Sequence, residues 1–256
     1  MTAYASALVT GASSGIGAEI ARVLAARGCR LTLVARRGDR LAALADELAQ
    51  LTAVDWLAAD LATPDGVELV ADRLREHPVE LLVNNAGVGT GGTFHTLPLQ
   101  PELAEIALNV VALVRLTHTV LPGMVDAGRG GVLNVSSIAG NQPLPGFATY
   151  GATKAYVTAF SEALIAELRG TGVHVTVLKP GYTYTEMNDG SAPEPASLTG
   201  RALWLQPDRV AVDAVAAVER GRTHCVPGTT WKLADGVIQS LPRAAVRALS
   251  SRVRAT

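Results

Sequence analysis

Three residues with chemically useful side chains lie close together in the sequence. Tyr150 and Lys154 are four residues apart, and Ser137 lies thirteen residues upstream of the tyrosine. Residues four apart share one face of a helix, so the Lys154 ammonium would lie beside the Tyr150 phenol and lower its pKa from about 10. A phenol tuned in this way exchanges protons near neutral pH, and the Ser137 hydroxyl could hold a carbonyl oxygen within its reach. The trio therefore indicates proton transfer to or from a substrate oxygen, although Tyr-x-x-x-Lys pairs also occur on solvated helices.

A glycine-rich turn follows the first predicted strand and leads directly into a helix. Glycines permit a tight turn and close backbone approach, and the N–H groups at a helix N-terminus suit a pyrophosphate. The G-x-x-x-G-x-G spacing is a variant of the dinucleotide fingerprint, and its place between strand and helix favours cofactor binding over a structural turn. We predict cofactor contacts from this turn, at Thr10, Gly11, Ser13, Ser14, Gly15, Ile16 and Gly17.

Strands and helices alternate along the chain. Short apolar or β-branched runs predict strands at 7–10, 31–35, 53–58, 81–84, 131–136 and 173–178. Apolar residues at three- and four-residue spacing predict helices over 16–27, 39–50, 64–76, 101–127 and 149–169. Strands that are apolar throughout are buried on both faces, which right-handed crossovers achieve by placing helices on both sides of a parallel sheet. The pattern predicts a Rossmann-like, doubly wound α/β fold of three layers, α/β/α, that binds its ligand beyond the carboxyl ends of the strands.

Composition limits the classes of function. The chain has 256 residues, 48% hydrophobic and 18% charged, and no linker or charge block divides it, so we expect one domain spanning 1–256. The formal net charge is −1, and no zinc-finger pattern or basic stripe is present, which disfavours nucleic-acid binding.

Cysteines, histidines and the N-terminus point to a reducing compartment and no metal. Cys29 and Cys225 form no C-x-x-C pair, and we expect buried free thiols. The first ten residues lack a secretory signal, and no apolar run reaches about 18 residues, so a cytoplasmic protein without membrane contact is expected. The five histidines are scattered without metal-ligand spacing, so no metal site is predicted.

Several motifs resemble, in order and spacing, the single-domain short-chain dehydrogenase/reductase family. They are the Thr10 to Gly17 turn, Asn84-Asn85-Ala86-Gly87, Asn109, Ser137, Tyr150 with Lys154, Lys179-Pro180-Gly181 and Thr185. The resemblance runs from residue 6 to about 187 and implies an oxidoreductase acting between alcohol and carbonyl. A small departure is Thr153, because serine often precedes the lysine in the family. Beyond Met187 the resemblance fades into a region that varies with substrate.

The resemblance implies a role for each of four polar residues. Tyr150 would donate a proton in reduction and accept one in oxidation, while Lys154 would lower its pKa and hydrogen-bond the nicotinamide ribose. Ser137 would orient the carbonyl, and Asn109 would hold a water that relays protons to Lys154. Two alternatives stay open: Ser136 could make the polar contact, although the spacing to Tyr150 favours Ser137, and Asn109 could merely bend a long helix.

The resemblance also implies cofactor contacts after the third, fourth and sixth strands. Asp60 matches the position that contacts the adenine amine, although it could equally cap a turn before Pro64. Thr185 matches the threonine that holds the nicotinamide carboxamide. The full set of these contacts is Asp60, Leu61, Asn85, Ala86, Gly87, Pro180, Gly181, Thr183 and Thr185.

Residues at the end of the second strand favour NADP(H) over NAD(H). Ala35 occupies the position where an NAD enzyme of this type places Asp or Glu. Arg36 and Arg37 follow, and a guanidinium suits a 2′-phosphate, although both could simply begin a solvated helix with Asp39 pairing one of them. An NAD-dependent alcohol dehydrogenase and a non-catalytic NADP(H)-binding redox sensor or interaction protein stay open as alternatives.

The predicted substrate region is apolar. Loops 88–97 and 139–147 and the substrate-loop region 182–204 would wall the site, and they supply Phe94, Leu144, Phe147, Tyr182, Tyr184, Met187, Leu198 and Trp204. This composition favours a small-molecule ketone or secondary alcohol of apolar character over a sugar phosphate. We expect residues 190–204 to form a lid over the bound carbonyl.

Two expectations concern surfaces. The C-terminal tail, 241–256, is amphipathic and basic, and we interpret it as a helix packed on the domain with a solvated face rather than as a membrane contact. The resemblance implies a homodimer or homotetramer through the two long helices around Asn109 and Tyr150.

Overall fold

Seven parallel strands form one sheet in the order β3-β2-β1-β4-β5-β6-β7. The structure is a computed structural model that describes residues 3–188, 203–242 and 246. The strands are β1 Ser6–Thr10, β2 Arg30–Ala35, β3 Val54–Ala58, β4 Leu81–Asn84, β5 Gly130–Val135, β6 Val173–Leu178 and β7 His224–Cys225. The order reverses between β1 and β4, so the loops that follow these two strands diverge and open a crevice at the carboxyl edge.

Helices cover both faces of the sheet, which confirms the predicted doubly wound α/β fold. They are α1 Gly15–Ala26, α2 Gly38–Leu48, α3 Pro64–Glu76, α4 Leu99–Ile106, α5 Leu113–Asp126, α6 Ala148–Glu167, α7 Pro207–Glu219 and α8 Thr229–Ser240. One apolar core lies between the sheet and α1, α2 and α7, and a second lies between the sheet and α3, α5 and α6.

The predicted and observed elements agree closely in the first two thirds of the chain. The helix predicted over 64–76 has those bounds, because the Thr63 hydroxyl accepts a hydrogen bond from Gly66 N at 3.1 Å and Pro64 occupies the first turn. Strand β7 and helices α7 and α8 are absent from the predicted elements. The two-residue β7 is too short to show an alternating pattern, and it is defined by its pairing with β6.

The helix predicted over 101–127 is interrupted. Helices α4 and α5 are joined by a π-helical turn, Ala107–Ala112, and Asn109 lies within that turn. A π turn inserts one extra residue into the helical repeat and often marks a functional position.

Counted across the π turn, the helical segment Leu99–Asp126 is long and apolar enough to cross a membrane, judged by length and composition alone. Its mean hydropathy is 1.4 over an 18-residue window. This is weak evidence, because core helices of soluble proteins pass the same test. The segment packs on the sheet and on α3 through buried residues such as Leu116 and Val120.

A buried polar chain fixes α5 and α6 on the sheet. Asn84 Nδ2 donates to Thr117 Oγ1 in α5 and to Asn134 Oδ1 in β5, both at 2.9 Å, and Asn134 Nδ2 donates to Ser161 Oγ in α6 at 2.9 Å. Because these groups are buried, losing any one partner would leave another unpaired. These hydrogen bonds thus fix the position of α6, and with it the position of Tyr150 and Lys154 near the ends of the strands.

Two predicted features fall mostly outside the described residues. The lid predicted over 190–204 has only Leu203 and Trp204 within them, and the tail 241–256 has only 241, 242 and 246.

Candidate active site

A cavity of about 490 Å³ lies at the carboxyl edge of the sheet, between the loops that follow β1 and β4. Its lining brings together most of the residues predicted for cofactor binding and catalysis. These are Gly11, Ser13, Ser14, Gly15, Ile16, Arg36, Arg37, Asp60, Leu61, Asn85, Ala86, Gly87, Ser137, Tyr150, Lys154, Pro180, Gly181, Thr183 and Thr185. Three predicted residues, Thr10, Gly17 and Asn109, do not line the cavity and instead support residues that do.

The glycines of the first turn are required by close packing. Gly11 has a φ of +67°, and a methyl group there would lie 2.8 Å from Asn85 Nδ2. A methyl group at Gly17 would lie 2.4 Å from both Asn85 Nδ2 and Gly11 O, so any side chain would displace the loop. Asn85 Nδ2 donates to Thr10 O at 2.9 Å, which joins this loop to the end of β4.

Thr10 ties the ends of β1 and β4 together from behind the cavity. Its hydroxyl donates to Val83 O at 3.1 Å and accepts from the backbone N–H groups of Asn85 and Ala86, each at 3.0 Å. Thr10 therefore shapes the cavity floor without facing it.

Arg37 lies over the glycine-rich loop. Its guanidinium donates to Ser13 Oγ at 3.0 Å and to Ser14 Oγ at 2.8 Å, and it pairs with Glu186 Oε2 at 2.7 Å. Arg40 contacts the other carboxylate oxygen of Glu186. These two arginines hold the pKa of Glu186 at about 2. These hydrogen bonds hold the Arg37 guanidinium at the wall of the cavity.

Asp60 caps the turn before Pro64, and its predicted contact with the adenine amine stays a prediction. It lines the cavity, and its Oδ1 also accepts from Ala62 N at 3.0 Å, which caps the turn before Pro64. A methyl group at Gly66 would collide with Asp60 O, so this turn and α3 are packed tightly together.

Ser137 and Tyr150 both line the cavity, and the Ser137 hydroxyl lies near enough to the phenol to lower its pKa. The Ser137 hydroxyl also accepts from Ala139 N at 3.1 Å, which fixes its orientation at the end of β5. The alternative residue, Ser136, uses its hydroxyl differently: it donates to Lys154 O at 2.7 Å and contacts Thr158 Oγ1 at 2.8 Å. Of the two serines, Ser137 is therefore the one whose hydroxyl meets the phenol.

Lys154 is buried beside Tyr150. Its Nζ donates to Val135 O at 2.9 Å and lies 5.8 Å from the centroid of the Tyr150 ring. Burial lowers the pKa of Lys154 to about 8, and the nearby negative charge of Glu105 opposes this effect.

The pKa of Tyr150 differs from the sequence-based expectation. The sequence predicts a pKa lowered by Lys154, but burial raises the pKa of Tyr150 above its ordinary value in the structure, while the hydrogen bond from Ser137 lowers it and Glu105 raises it. The physical reason is that a buried phenolate loses its hydration, and the Lys154 ammonium donates to a backbone carbonyl rather than to the phenol oxygen.

Asn109 lies behind the catalytic pair and holds the loop after β4. Its Oδ1 accepts from Val88 N at 3.0 Å, and its Nδ2 donates to Val88 O at 2.9 Å and to Thr153 Oγ1 at 3.1 Å. A methyl group at Gly87 would lie 3.2 Å from Asn109 Oδ1 and 3.3 Å from Lys154 Nζ. Asn109 thus lies in the π turn and close to Lys154, and its predicted role of holding a water stays a prediction.

The segment after β6 closes the cavity on the side of β5. Pro180 O accepts from Ile138 N at 3.2 Å, and a methyl group at Gly181 would overlap the Trp231 ring at 2.2 Å. The Thr183 hydroxyl donates to Gly181 O at 3.0 Å, and the Thr185 side chain packs against Gly15 across the cavity. This packing joins the turn before α1 to the segment after β6.

Sequence reasoning misses three acidic residues near this site. Glu186 binds Arg37 and Arg40, and Glu102 and Glu105 are buried behind Tyr150. The pairing of Glu186 with residues about 146 positions away is invisible in a pattern of short spacings. Glu102 and Glu105 lie on the buried face of α4 while the apolar Leu99, Leu103 and Ile106 are exposed, so apolar periodicity indicates the wrong face of this helix.

Comparison with known proteins establishes the family. The family model described as short chain dehydrogenase matches residues 5–196. The chain belongs to the short chain dehydrogenase family. It is an oxidoreductase acting on alcohol or carbonyl groups, since its relatives carry the names of reductases and dehydrogenases.

Among curated relatives, the chain resembles sulfoacetaldehyde reductase 2 of Chromohalobacter salexigens, with 41% identity over 187 residues, covering 70% of this chain and 73% of that protein. It also resembles the NADP-dependent 3-hydroxy acid dehydrogenase of Salmonella typhi, with 39% identity over 177 residues, covering 68% and 71%.

Among solved structures, this short chain dehydrogenase resembles a short-chain dehydrogenase from Sphingobium yanoikuyae in complex with NADPH, with a TM-score of 0.81, 34% identity and coverage of 93% and 97%. It also resembles the bulky-bulky ketone specific alcohol dehydrogenase from Comamonas testosteroni, with a TM-score of 0.79, 31% identity and coverage of 95% and 97%.

Proposed function

We propose that the chain is an NADP(H)-dependent ketoreductase that interconverts an apolar ketone and its secondary alcohol. The observation that carries this proposal is that Ser137, Tyr150 and Lys154 line the same cavity as the glycine-rich turn and Arg37. A proton carrier and a dinucleotide cradle thereby share one space.

The proposed roles follow from the contacts. Ser137, fixed by Ala139 N, would donate its hydroxyl to the substrate carbonyl oxygen, and Tyr150 would deliver its phenolic proton to the same oxygen. Lys154 would stabilise the phenolate that remains, because a nearby ammonium favours the charged form. Asn109 would hold the loop after β4 and a water that relays protons to Lys154, since both side chains lie beside Gly87.

The residues present fit NADP(H). Gly11, Ser13, Ser14 and Gly15 line the cavity where α1 begins, and the free N–H groups of this helix N-terminus suit a pyrophosphate. Arg37, held by two serine hydroxyls, would bind the 2′-phosphate, with Arg36 exposed at the same wall. When bound, NADPH would supply the hydride, while the protein supplies position and electrostatics. The NADP-dependent and NADPH-bound relatives support this cofactor.

Met187 lines the cavity, and an aromatic cluster next to the lining segment after β6 supports an apolar substrate. Tyr182 stacks on Trp204 with ring centroids 5.3 Å apart and meets Trp231 edge-on at 5.6 Å. On the opposite side, a methyl group at Gly91 would touch the Phe147 ring, so the loops after β4 and β5 pack together beside the site. Arg36 and Arg37 lie at the cofactor end, which leaves Lys154 as the only cation among the described cavity-lining residues at the catalytic end. The bulky ketone named for the Comamonas testosteroni enzyme fits this environment.

We also propose that residues 1–256 form one domain and that the chain works as a cytoplasmic homo-oligomer. The proposed homo-oligomer is supported by exposed apolar side chains on α4 and α6, among them Leu103, Ile106 and Tyr156. Light scattering of the purified protein would test the assembly, and a monomer at working concentration would refute it.

The decisive experiment for the activity is a carbonyl panel assayed with NADPH and NADH. We expect reduction of bulky apolar ketones with a preference for NADPH, and weaker turnover of anionic aldehydes. Absence of turnover with every carbonyl, despite tight NADPH binding, would favour a non-catalytic NADP(H)-binding protein.

A further inference from the structure

Two buried glutamates of α4 meet at one threonine hydroxyl. Glu105 is 0% exposed and Glu102 is 4% exposed. Thr90 Oγ1 contacts Glu102 Oε1 and lies 2.6 Å from Glu105 Oε2. Glu105 Oε2 also accepts from Thr90 N at 2.8 Å, and Glu102 Oε2 accepts from the Thr149 hydroxyl. One small side chain therefore bridges two carboxyl groups.

The number of protons at this bridge is limited. A threonine hydroxyl carries one hydrogen, whereas an ionised carboxylate only accepts hydrogen bonds. Both contacts of Thr90 Oγ1 can be hydrogen bonds only if one carboxyl group donates its own proton to the hydroxyl. Two ionised carboxylates at this distance would also repel each other in a buried site.

The surroundings of the two groups indicate where the proton lies. Both oxygens of Glu102 are hydrogen-bonded, by Thr90 and Thr149. Among the described residues, Glu105 Oε1 has no hydrogen-bond partner although it is fully buried. A buried oxygen without a hydrogen-bond partner costs less free energy on a neutral carboxyl group than on a carboxylate. The pKa of Glu105 is raised, because burial and the charge of Glu102 raise it more than the hydrogen bonds of Thr90 and the Lys154 ammonium lower it.

We propose that Glu102 and Glu105 share a single proton, held on Glu105 and donated through Thr90, and that this pair positions Tyr150. The two glutamates are positioning residues, because neither of them is among the described residues that line the cavity.

The bridge reaches Tyr150 from two sides. Thr90 follows Gly89, where a methyl group would lie 3.0 Å from the Tyr150 ring, so this loop packs on the phenol. Thr149, which donates to Glu102, directly precedes Tyr150 in α6. The shared proton therefore joins the loop after β4 to the first turn of α6. Its loss would loosen the packing of both segments around the Tyr150 side chain.

The charged groups that face the pair come from α6. They are the Lys154 ammonium, which lowers the pKa of Glu105, and the Tyr150 phenol, whose pKa Glu105 raises. A pair that keeps its proton presents one negative charge to them instead of two. The proposed shared proton thus limits the electrostatic cost of ionising Tyr150.

Infrared spectroscopy of the wild-type protein tests the proton directly and requires no turnover. We expect the C=O band of a protonated, buried carboxyl at pH 7, where exposed glutamates with a pKa of about 4.3 are ionised. The band should shift in D₂O and disappear in Glu105→Gln, while the exposed control Glu76→Gln retains it. A wild-type spectrum without this band at pH 7 would overturn the proposal.

Kinetics test the positioning role, which rests on the proposed function. Glu105→Gln keeps a donor toward the Thr90 hydroxyl, so we expect kcat to fall by no more than about threefold, whereas Glu105→Ala leaves the Thr90 backbone N–H without its acceptor and should lower kcat on the order of tenfold. The Kd for NADPH should stay within about twofold in both variants, since the pair lies outside the cavity. Equal losses in the Gln and Ala variants would contradict proton sharing. If no carbonyl is reduced by the wild-type chain, the proposed function fails, and the infrared band alone decides the shared proton.

Discussion

The guanidinium of Arg37 is paired with the carboxylate of Glu186, with Nη1 2.7 Å from Oε2, at the wall of the candidate cofactor cavity. Both side chains are partly exposed, so the pair contributes little to folding. Glu186 would instead compete with a bound cofactor, because a 2′-phosphate would have to share Arg37 with Glu186 or replace it.

Removing the charge of Glu186 is therefore expected to strengthen NADPH binding. Glu186→Gln should lower the Kd for NADPH by about two- to fivefold, the size of an exposed ion-pair effect, with little change for NADH. Fluorescence titration with both cofactors measures this difference, and Glu76→Gln is the matched control. An equal change for NADH would show that Glu186 does not compete at the 2′-phosphate.

Cofactor preference should depend on Arg37 and position 35. Ala35→Asp with Arg37→Ala places an acceptor for the 2′-hydroxyl and removes the guanidinium that Ser13 and Ser14 hold. Charged hydrogen bonds contribute about 1.5 to 3 kcal/mol, so the ratio of NADPH to NADH affinity should fall by about one to two orders of magnitude. The companion double variant Ala35→Asp with Arg36→Ala distinguishes the contribution of Arg36 to cofactor preference from that of Arg37. Equal affinity of the wild-type protein for NADPH and NADH would refute the basis of this prediction.

The glycine at position 17 should be irreplaceable. Gly17→Ala introduces a methyl group 2.4 Å from Asn85 Nδ2 and Gly11 O, and we expect a loss of about 1 to 3 kcal/mol in the free energy of unfolding together with weaker NADPH binding. Gly123→Ala is the control, because nothing lies within 4 Å of its added methyl group in α5, and it should be neutral or slightly stabilising. Urea denaturation of both variants measures this contrast, and equal stabilities would contradict the packing described for the turn.

Lys154 should reduce stability at neutral pH. Its pKa is about 8 in the folded chain against 10.5 as the ordinary value, a difference of 10.5 − 8 = 2.5 units. The folded state therefore binds this proton less tightly than the unfolded state. The resulting loss of folding stability is fully present below pH 8 and disappears as pH rises to about 10.5. Lys154→Met should raise the free energy of unfolding by about 1 to 3 kcal/mol at pH 7, after allowing for the lost hydrogen bond to Val135 O.

The stability gain of Lys154→Met should shrink when denaturation is repeated near pH 10, since the wild-type lysine is then largely neutral. Lys232→Met, at an exposed position of α8, serves as the control and should show no such pH dependence. A gain that stays constant between pH 7 and pH 10 would mean that burial of the charge is not its cause.

Much of the fold was accessible from sequence because its signals are local. The apolar strands β1, β4 and β6 and the capped helix α3 each carry their pattern within a few residues. Strand β7 has only two residues and depends on β6 for its pairing, so no local pattern announces it. The π turn around Asn109 likewise arises from how α4 and α5 pack, and no breaker residue marks it.

The site divides in the same way. The positions of Ser137, Tyr150 and Lys154 follow from motif spacing, and their predicted chemical roles stay predictions. The direction of the Tyr150 pKa shift does not follow from spacing, because burial and the charge of Glu105 are three-dimensional properties. The shared contact of Glu102 and Glu105 with Thr90 depends on the loop after β4 folding back on α4.

The central claim, that Tyr150 supplies the proton, is tested most directly by Tyr150→Phe under saturating NADPH with the best ketone of the panel. Tyr156→Phe, an exposed tyrosine of the same helix, is the control. We predict that kcat falls about 100- to 10,000-fold in Tyr150→Phe while the Kd for NADPH stays nearly unchanged, because only the proton carrier is removed. A Tyr150→Phe protein that keeps more than half of the wild-type rate would contradict the account.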